Sequence, residues 1–190
     1  MGFLDSLLGR TEVPKSREDR IFAMSTAAVS LEASGGLKPA GRSGVLFRDL
    51  PPGRFDSLMA DIRQLIDIQG SDSGLAAESH RDELGFEWLI LTGGQPDYED
   101  ALAAIHSVAG SMAQDGLGDL LLAAAFRFEL QGRPVYWIYS YKQATFYPFV
   151  PSGNRVRDNS AELRLAALAR QELPVEPSLE RWFALWGIPV

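Results

Sequence analysis

Apolar positions along this chain change period several times, and each change marks an element. Between Leu122 and Glu129 every second residue is apolar: Leu122, Ala124, Phe126 and Phe128 point one way, Arg127 and Glu129 the other. The alternation resumes with Val135, Trp137, Tyr139 and Tyr141 on one face and Tyr136 and Ile138 on the opposite one. A period of two is that of a strand. Gln131-Gly132 and Lys142-Gln143 divide these runs from each other and from Ala144-Thr-Phe-Tyr-Pro-Phe-Val150, so the stretch is predicted to be a three-strand antiparallel meander. Nine of the nineteen aromatic residues fall between Phe126 and Phe149, which favours strands further. Pro148 has no N–H to give to a ladder, so the third strand is expected to be an edge or to end there.

Elsewhere the period is helical. Phe55, Leu58, Met59, Ile62, Leu65 and Ile66 make one stripe, with Asp56, Asp61, Arg63 and Asp67 facing away. Tyr98, Leu102, Ile105, Val108, Ala109 and Met112 make another, opened by Asp97 as a cap. Asn159-x-x-Glu162 reads as a capping box for a helix through Leu163, Ala166, Ala167 and Leu168, and Ser16-Arg-Glu-Asp19 as one for a short helix through Ile21 and Phe22. Leu179, Trp182, Phe183 and Trp186 predict a last short helix, closed by Gly187 and Pro189. Ala27, Val29, Leu31 and Ala33 alternate and predict a strand, Gly44-Val-Leu-Phe-Arg48 a second, and Glu83–Thr92 an interior one, preceded by an acidic loop. Phe3, Leu4, Leu7 and Leu8 share one side of a helix too short to stand alone. This order is not a βαβ alternation. It predicts a single α+β domain over residues 16–190, a largely antiparallel sheet of five to seven strands with helices packed on it, preceded by a short amphipathic segment at 1–15.

Composition narrows the chemistry. Hydrophobic residues are 46% and charged residues 23% of the 190, an ordinary globular balance. The net charge of −7 and pI near 4.9 disfavour nucleic acid as a partner. Without cysteine there is no disulfide, thiolate metal ligand or thiol nucleophile. No apolar run reaches the ~18–20 residues of a membrane helix, and the acid at Asp5 with no basic leader argues against a signal peptide, so a cytoplasmic protein is expected. His80, with Glu78 and Asp82, would share one face of an extended segment as a weak metal site; a solvated acidic loop is the plainer reading. His106 is expected to be a packed or half-exposed helix residue. Gly70-Ser-Asp-Ser-Gly74 has Asp72 where a nucleophile elbow needs serine. Gly93-Gly94 would offer N–H groups to an anion but reads as a tight turn. No catalytic motif, metal set or cofactor is expected. The meander alone departs from the acidic average: Arg127, Arg133, Lys142, Arg155 and Arg157 outnumber Glu129 and Asp158.

Six blocks carry a further signal: Phe22-Ala-Met-Ser-Thr-Ala27, Asp82-Glu-Leu-Gly-Phe-Glu-Trp-Leu-Ile-Leu91, Tyr136-Trp-Ile-Tyr-Ser-Tyr141, Thr145-Phe-Tyr-Pro-Phe-Val-Pro151, Arg157-Asp-Asn-Ser-Ala-Glu-Leu-Arg164 and Arg181-Trp-Phe-Ala-Leu-Trp186. Together with the start Met1-Gly-Phe-Leu-Asp-Ser-Leu-Leu-Gly, they resemble the PspAB family of phage-shock-protein-A-associated proteins almost end to end. The resemblance implies a cytoplasmic accessory of an envelope-stress response built on PspA, alongside an HtpX-type membrane protease, with no catalytic residues to carry over. The leading expectation is therefore a non-enzymatic protein that binds a PspA-like partner. Its expected contact residues are Tyr141, Lys142, Phe146, Tyr147, Phe149, Arg155 and Arg157. One alternative is an enzyme or small-ligand receptor with a pocket beside the 134–158 hairpin, gathering Arg157, Asp158 and His80. The other is a peripheral membrane protein using Phe3, Leu4, Leu7 and Leu8.

Overall fold

Gln131 and Gly132 both take positive φ, 52° and 75°, the combination a two-residue hairpin turn needs to match the twist of its strands. They join β4 (Leu121–Leu130) to β5 (Arg133–Ser140), and β6 (Thr145–Phe149) returns along β5, giving the meander as expected. The computed structural model describes residues 19–69, 74–93 and 98–190. Ahead of the meander lie β1 (Lys38–Phe47), β2 (Ala76–Arg81) and β3 (Glu87–Thr92). All six pair antiparallel in the order β2-β3-β1-β4-β5-β6. The α+β class and the antiparallel sheet are borne out.

One face of the sheet carries α1 (Ala23–Gly35), α2 (Arg54–Gln69), α3 (Glu99–Gln114) and α4 (Asn159–Ala169). Phe126, Phe128, Trp137, Tyr139 and Phe146 meet Met24, Leu58, Leu102, Ile105 and Leu165 there. Tyr98, from which α3 starts, is sunk between the Phe126 and Phe128 rings; its hydroxyl donates to the Arg127 carbonyl and accepts from the Ala40 N–H. Burial pushes that hydroxyl's pKa well up.

The opposite face is apolar too. Leu46, Trp88, Ile90, Ala125, Ile138 and Phe149 lie under a C-terminal strap, residues 182–190, that brings Trp182, Leu185, Trp186, Ile188 and Val190 onto the sheet. This corrects the helix expected through Trp186. Only Leu179–Arg181 make a 3₁₀ turn, and the chain beyond it is irregular. Pro174, Pro177 and Pro189, with Gly187 at φ 73°, deny the segment a continuous helical ladder.

Two further expectations are corrected. Residues 27–33 are helical, not a strand: Met24, Ala27, Ala28 and Leu31 are buried at helical spacing, while Val29 is 60% exposed. Alanine is the strongest helix former, and its alternation with Val29 and Leu31 misled. The helix closes at Gly36, φ 67°, whose N–H reaches the Glu32 carbonyl. The segment read as an acidic loop is instead β2, an edge strand with a polar face. The caps expected at Ser16 and Asp97, the 3–8 stripe, Gly94 and residues 70–73 lie outside the described residues.

Gly93, at the end of β3, has φ 93°, and a Cβ there would stand 2.0 Å from the Gly74 carbonyl oxygen. Gly93→Ala is expected to cost on the order of 2–4 kcal/mol through strain and backbone displacement. A urea midpoint equal to the parent's would show that the two loops are not held together.

Candidate partner-binding surface

Pro151 and Arg157 form an antiparallel bridge just beyond β6, closing a loop whose Ser152 N–H reaches the Val156 carbonyl and whose Val156 N–H reaches Gly153. Arg155 at its tip takes φ 56°. The alternation this imposes turns Arg157 inward and leaves Arg155 and Val156 outside.

Arg157 is a latch. Its Nε donates to Glu162 Oε1 at 2.9 Å and its Nη2 lies 2.9 Å from Glu162 Oε2. Its Nη1 donates to the Trp182 carbonyl, and the guanidinium sits 5.4 Å from the Phe149 ring centre. Glu162, only 2% exposed, also accepts from the Val150 N–H at 2.9 Å. A buried carboxylate is tolerable only when its lone pairs are filled this way. Asp158 is spent differently: it caps α4, accepting from the Ala161 N–H at 2.9 Å. The capping box expected at Asn159 is thus displaced by one residue, which frees Glu162 for the latch.

A second buried acid ties the strap from below. Glu176 accepts from Thr145 Oγ1 at 2.9 Å and from the Ser178 N–H at 3.1 Å, and its carbonyl takes the Trp182 indole N–H at 3.0 Å. The same stretch covers the free edge of β6, with Phe146 N–H on the Pro174 carbonyl and Glu176 N–H on the Phe146 carbonyl, both 2.8 Å.

The residues expected to contact a partner are thereby sorted. Phe146, Tyr147 and Phe149 are buried and present no surface. Phe146 faces the helices against Phe126 and Tyr139. Tyr147 stacks on Trp182, and Phe149 meets Trp186 edge-on at 5.1 Å. The last two do receive aromatic rings, those of their own strap. Burial raises the Tyr147 hydroxyl's pKa, although Arg157 and the Phe183 backbone favour its ionised form. Tyr141 is half-buried against Tyr139, while Lys142 is exposed in the β5–β6 turn, at the far end of the hairpin from Arg155 and Arg157. The structure does not bring Tyr141 and Lys142 together with Arg155 and Arg157.

What the latch end does present is different. Val156, Leu179 and Phe183 are 55%, 56% and 60% exposed. Val156 and Phe183 each adjoin a residue of the Arg157–Trp182 bond, and Leu179 accepts the Trp182 N–H through its carbonyl. Arg133 approaches Asp158 at 3.8 Å and Arg181 approaches Glu176 at 3.7 Å, both from solvent. Arg155 adjoins Val156 in the loop, and Arg181 lies in the 3₁₀ turn that starts at Leu179, so arginines stand beside the exposed apolar groups. Leu179 and Phe183 were read as the buried stripe of a helix, and the clustering of prolines around them was the signal against it.

The other candidate chemistry is dispersed. His80 sits on β2, at the sheet edge opposite β6, so it cannot join Arg157 and Asp158 in one pocket. Asp82 accepts the Leu84 and Phe86 N–H groups and the Trp88 indole, ordering the β2–β3 turn. His106 pairs with Asp19 at 3.2 Å and leans on Phe22. Among the described residues no cluster of His, Asp and Glu is arranged to hold a metal, and no helix is long and apolar enough to cross a membrane. A cleft of about 170 Å³ lies between α1 and α4, lined by Ser30, Ser34, Leu168, Gln171 and Glu172 among others.

By architecture this is an α+β protein with one antiparallel sheet, roofed by helices on one face and by its own C-terminal strap on the other. The family model described as PspA associated protein B (PspAB) matches residues 1–190, and the chain belongs to that family. No curated protein and no solved structure matches it.

Proposed function

We propose that this protein is a non-enzymatic accessory of a PspA-type envelope-stress (phage-shock) system. It works in the cytoplasm by protein–protein contact, reaches the membrane through its partner, and shares the system with an HtpX-type membrane protease. The partner is a PspA-like protein, and the contact is the patch of Val156, Leu179 and Phe183 together with Arg133, Arg155 and Arg181. The observation that carries this reading is the exposure of those apolar side chains beside arginines on a chain of net charge −7. Aromatic and arginine residues are enriched where interfaces bind most strongly, and a local basic patch selects an acidic partner. The family's description, which names association with PspA, supports the choice of partner. The commitment of Arg157, Asp158, Glu162 and Glu176 to structural bonds supports a binding role over a catalytic one.

Calorimetric titration of the cognate PspA-like protein into the full chain tests both halves. Phe183→Ala and Arg155→Glu are each expected to weaken binding by about tenfold or more, roughly 1.4 kcal/mol. Val29→Ala, an exposed apolar change on α1, leaves it unchanged. No binding by the parent at about 100 µM would overturn the function; binding undiminished in both patch variants would overturn the surface.

A further inference from the structure

The two edges of the sheet are treated unequally. The outer edge of β6 is bonded by the 174–176 segment. That of β2 is not: among the described residues its one strand partner is β3, and all of Ala76–Arg81 except Ala77 are exposed. Natural edges are blunted by bulges, prolines or inward charges. β2 has neither bulge nor proline: its register with β3 runs residue for residue from Ala76↔Thr92 to Arg81↔Glu87 without a shift, and its charges, Glu78 and Arg81, are exposed. Among the described residues it is a regular template whose outward backbone groups are open to a further strand.

We propose that this edge receives a second copy of the same chain, β2 pairing antiparallel with β2 about a two-fold axis through Ser79, so that the two sheets become continuous. Charge decides both the occupant and the register. Two adjacent antiparallel strands related by a two-fold axis keep each residue on its own face, so the axis must pass at a residue and like-faced residues oppose one another. Centring on Glu78 sets its carboxylate against its own copy. Centring on His80 sets Glu78 against Asp82. Centring on Ser79 opposes Glu78 to His80, Ala77 to Arg81 and Ala76 to Asp82, with no like charges directly across. Like charges directly opposite destabilise a pair; centring on Ala77 avoids them too but pairs only residues 76–78 of β2, so Ser79 is the longest register the sequence permits.

The flanks fit as well. Glu78 and His80 share the strap face, where Arg42 approaches Glu78 at 3.5 Å. On the other face α2 rests against β2. Its last turn exposes Ile68, 74% accessible, which the two-fold axis would bring toward the α2 helix of the second copy. A joint of one short strand and one helix flank is small, and dissociation in the micromolar range is expected.

Analytical ultracentrifugation of the full chain, with no partner present, tests this independently of the PspA reading. A concentration-dependent dimer is expected. His80→Glu, which opposes two carboxylates twice, should weaken it by tenfold or more, and Glu78→Lys combined with His80→Glu should restore it by exchanging the charges. All these side chains are exposed, so folding is spared. Because the chain has no cysteine, Ser79→Cys provides a register test. Across the axis the two Cα atoms would lie about 4.5–5.5 Å apart, within disulfide reach, so mild oxidation should yield a covalent dimer far faster than Ser107→Cys on α3 does. A monomer at every concentration overturns the proposal and leaves the edge to a strand of another protein. A dimer that ignores His80→Glu, or equal cross-linking at positions 79 and 107, overturns it in favour of another interface.

Discussion

Replacing Arg157 with alanine is expected to cost about 3–5 kcal/mol of folding stability. The change removes one surface-touching residue, yet it leaves Glu162 buried at 2% exposure, with the Val150 N–H as the donor left to its carboxylate among the described residues. It also takes the Trp182 carbonyl's partner, so strap and loop lose their common tie. The measurement is the denaturant midpoint, with the slope checked so that a change of compactness is not mistaken for a change of stability. A companion variant separates charge from packing. Arg157→Met with Glu162→Leu keeps the volume and discards both charges, and it is expected to be more stable than either single replacement, because the largest cost lies in a lone buried charge rather than in a lost attraction. A loss below about 1 kcal/mol in Arg157→Ala would mean that the pair behaves as a surface ion pair and that the latch is not one.

The other large effect concerns the strap. Deleting residues 184–190 uncovers the face formed by Leu46, Trp88, Ile90, Ala125 and Ile138, and removes the Pro189 carbonyl bonded by Arg42. Contiguous apolar area of that kind is rare on a monomer and drives association. The expected result is a protein that keeps most of its far-ultraviolet signal, binds a hydrophobic dye and aggregates on warming. Trp182→Ala is the graded version: it loses the stack on Tyr147 and the indole bond to Glu176, at a cost of about 3–5 kcal/mol. Dye binding and a melting temperature unchanged by the deletion would show that the strap is not part of the core. The strap's fit is close at its end, where a Cβ on Gly44 would fall 2.8 Å from Val190 Cγ1.

How legible the molecule was depended on whether local pattern and tertiary context agreed. In the meander they do: alternation, the Gln131-Gly132 turn and cross-strand neighbours all demand the same pairing, so β4, β5 and β6 were readable to within a residue or two. The stripes of α2 and α3 were equally plain. In α1 a run of small residues satisfied two periods, and only the burial of Met24 and Ala28 decides between them. β2 was hidden because an exposed edge strand needs no apolar face, and Glu78, His80 and Arg81 carry no strand signature of their own. The site was less legible than the fold. Arg157 and Phe149 look like recognition residues in sequence because the same chemistry, a guanidinium with an aromatic ring and a carboxylate, serves an internal contact as well as an external one. Nothing local distinguishes them; the distinction lies in Trp182 and Glu162, one of them 25 residues from Arg157 along the chain. Conversely, Phe183 looked internal, and the irregular path of the strap turns it out.

That path also sets an order of events during synthesis. β1 lies in the middle of the sheet between β3 and β4, and the cover for its outer face is supplied by residues 182–190, made long after it. Chains fold from the N-terminus as they emerge, so a nascent chain that has already assembled its sheet and helices still shows water a broad aromatic and aliphatic surface until residues 182–190 have followed. The interval before the strap emerges is when this protein most needs a chaperone, and a synonymous change that slows translation of codons 182–190 would prolong it.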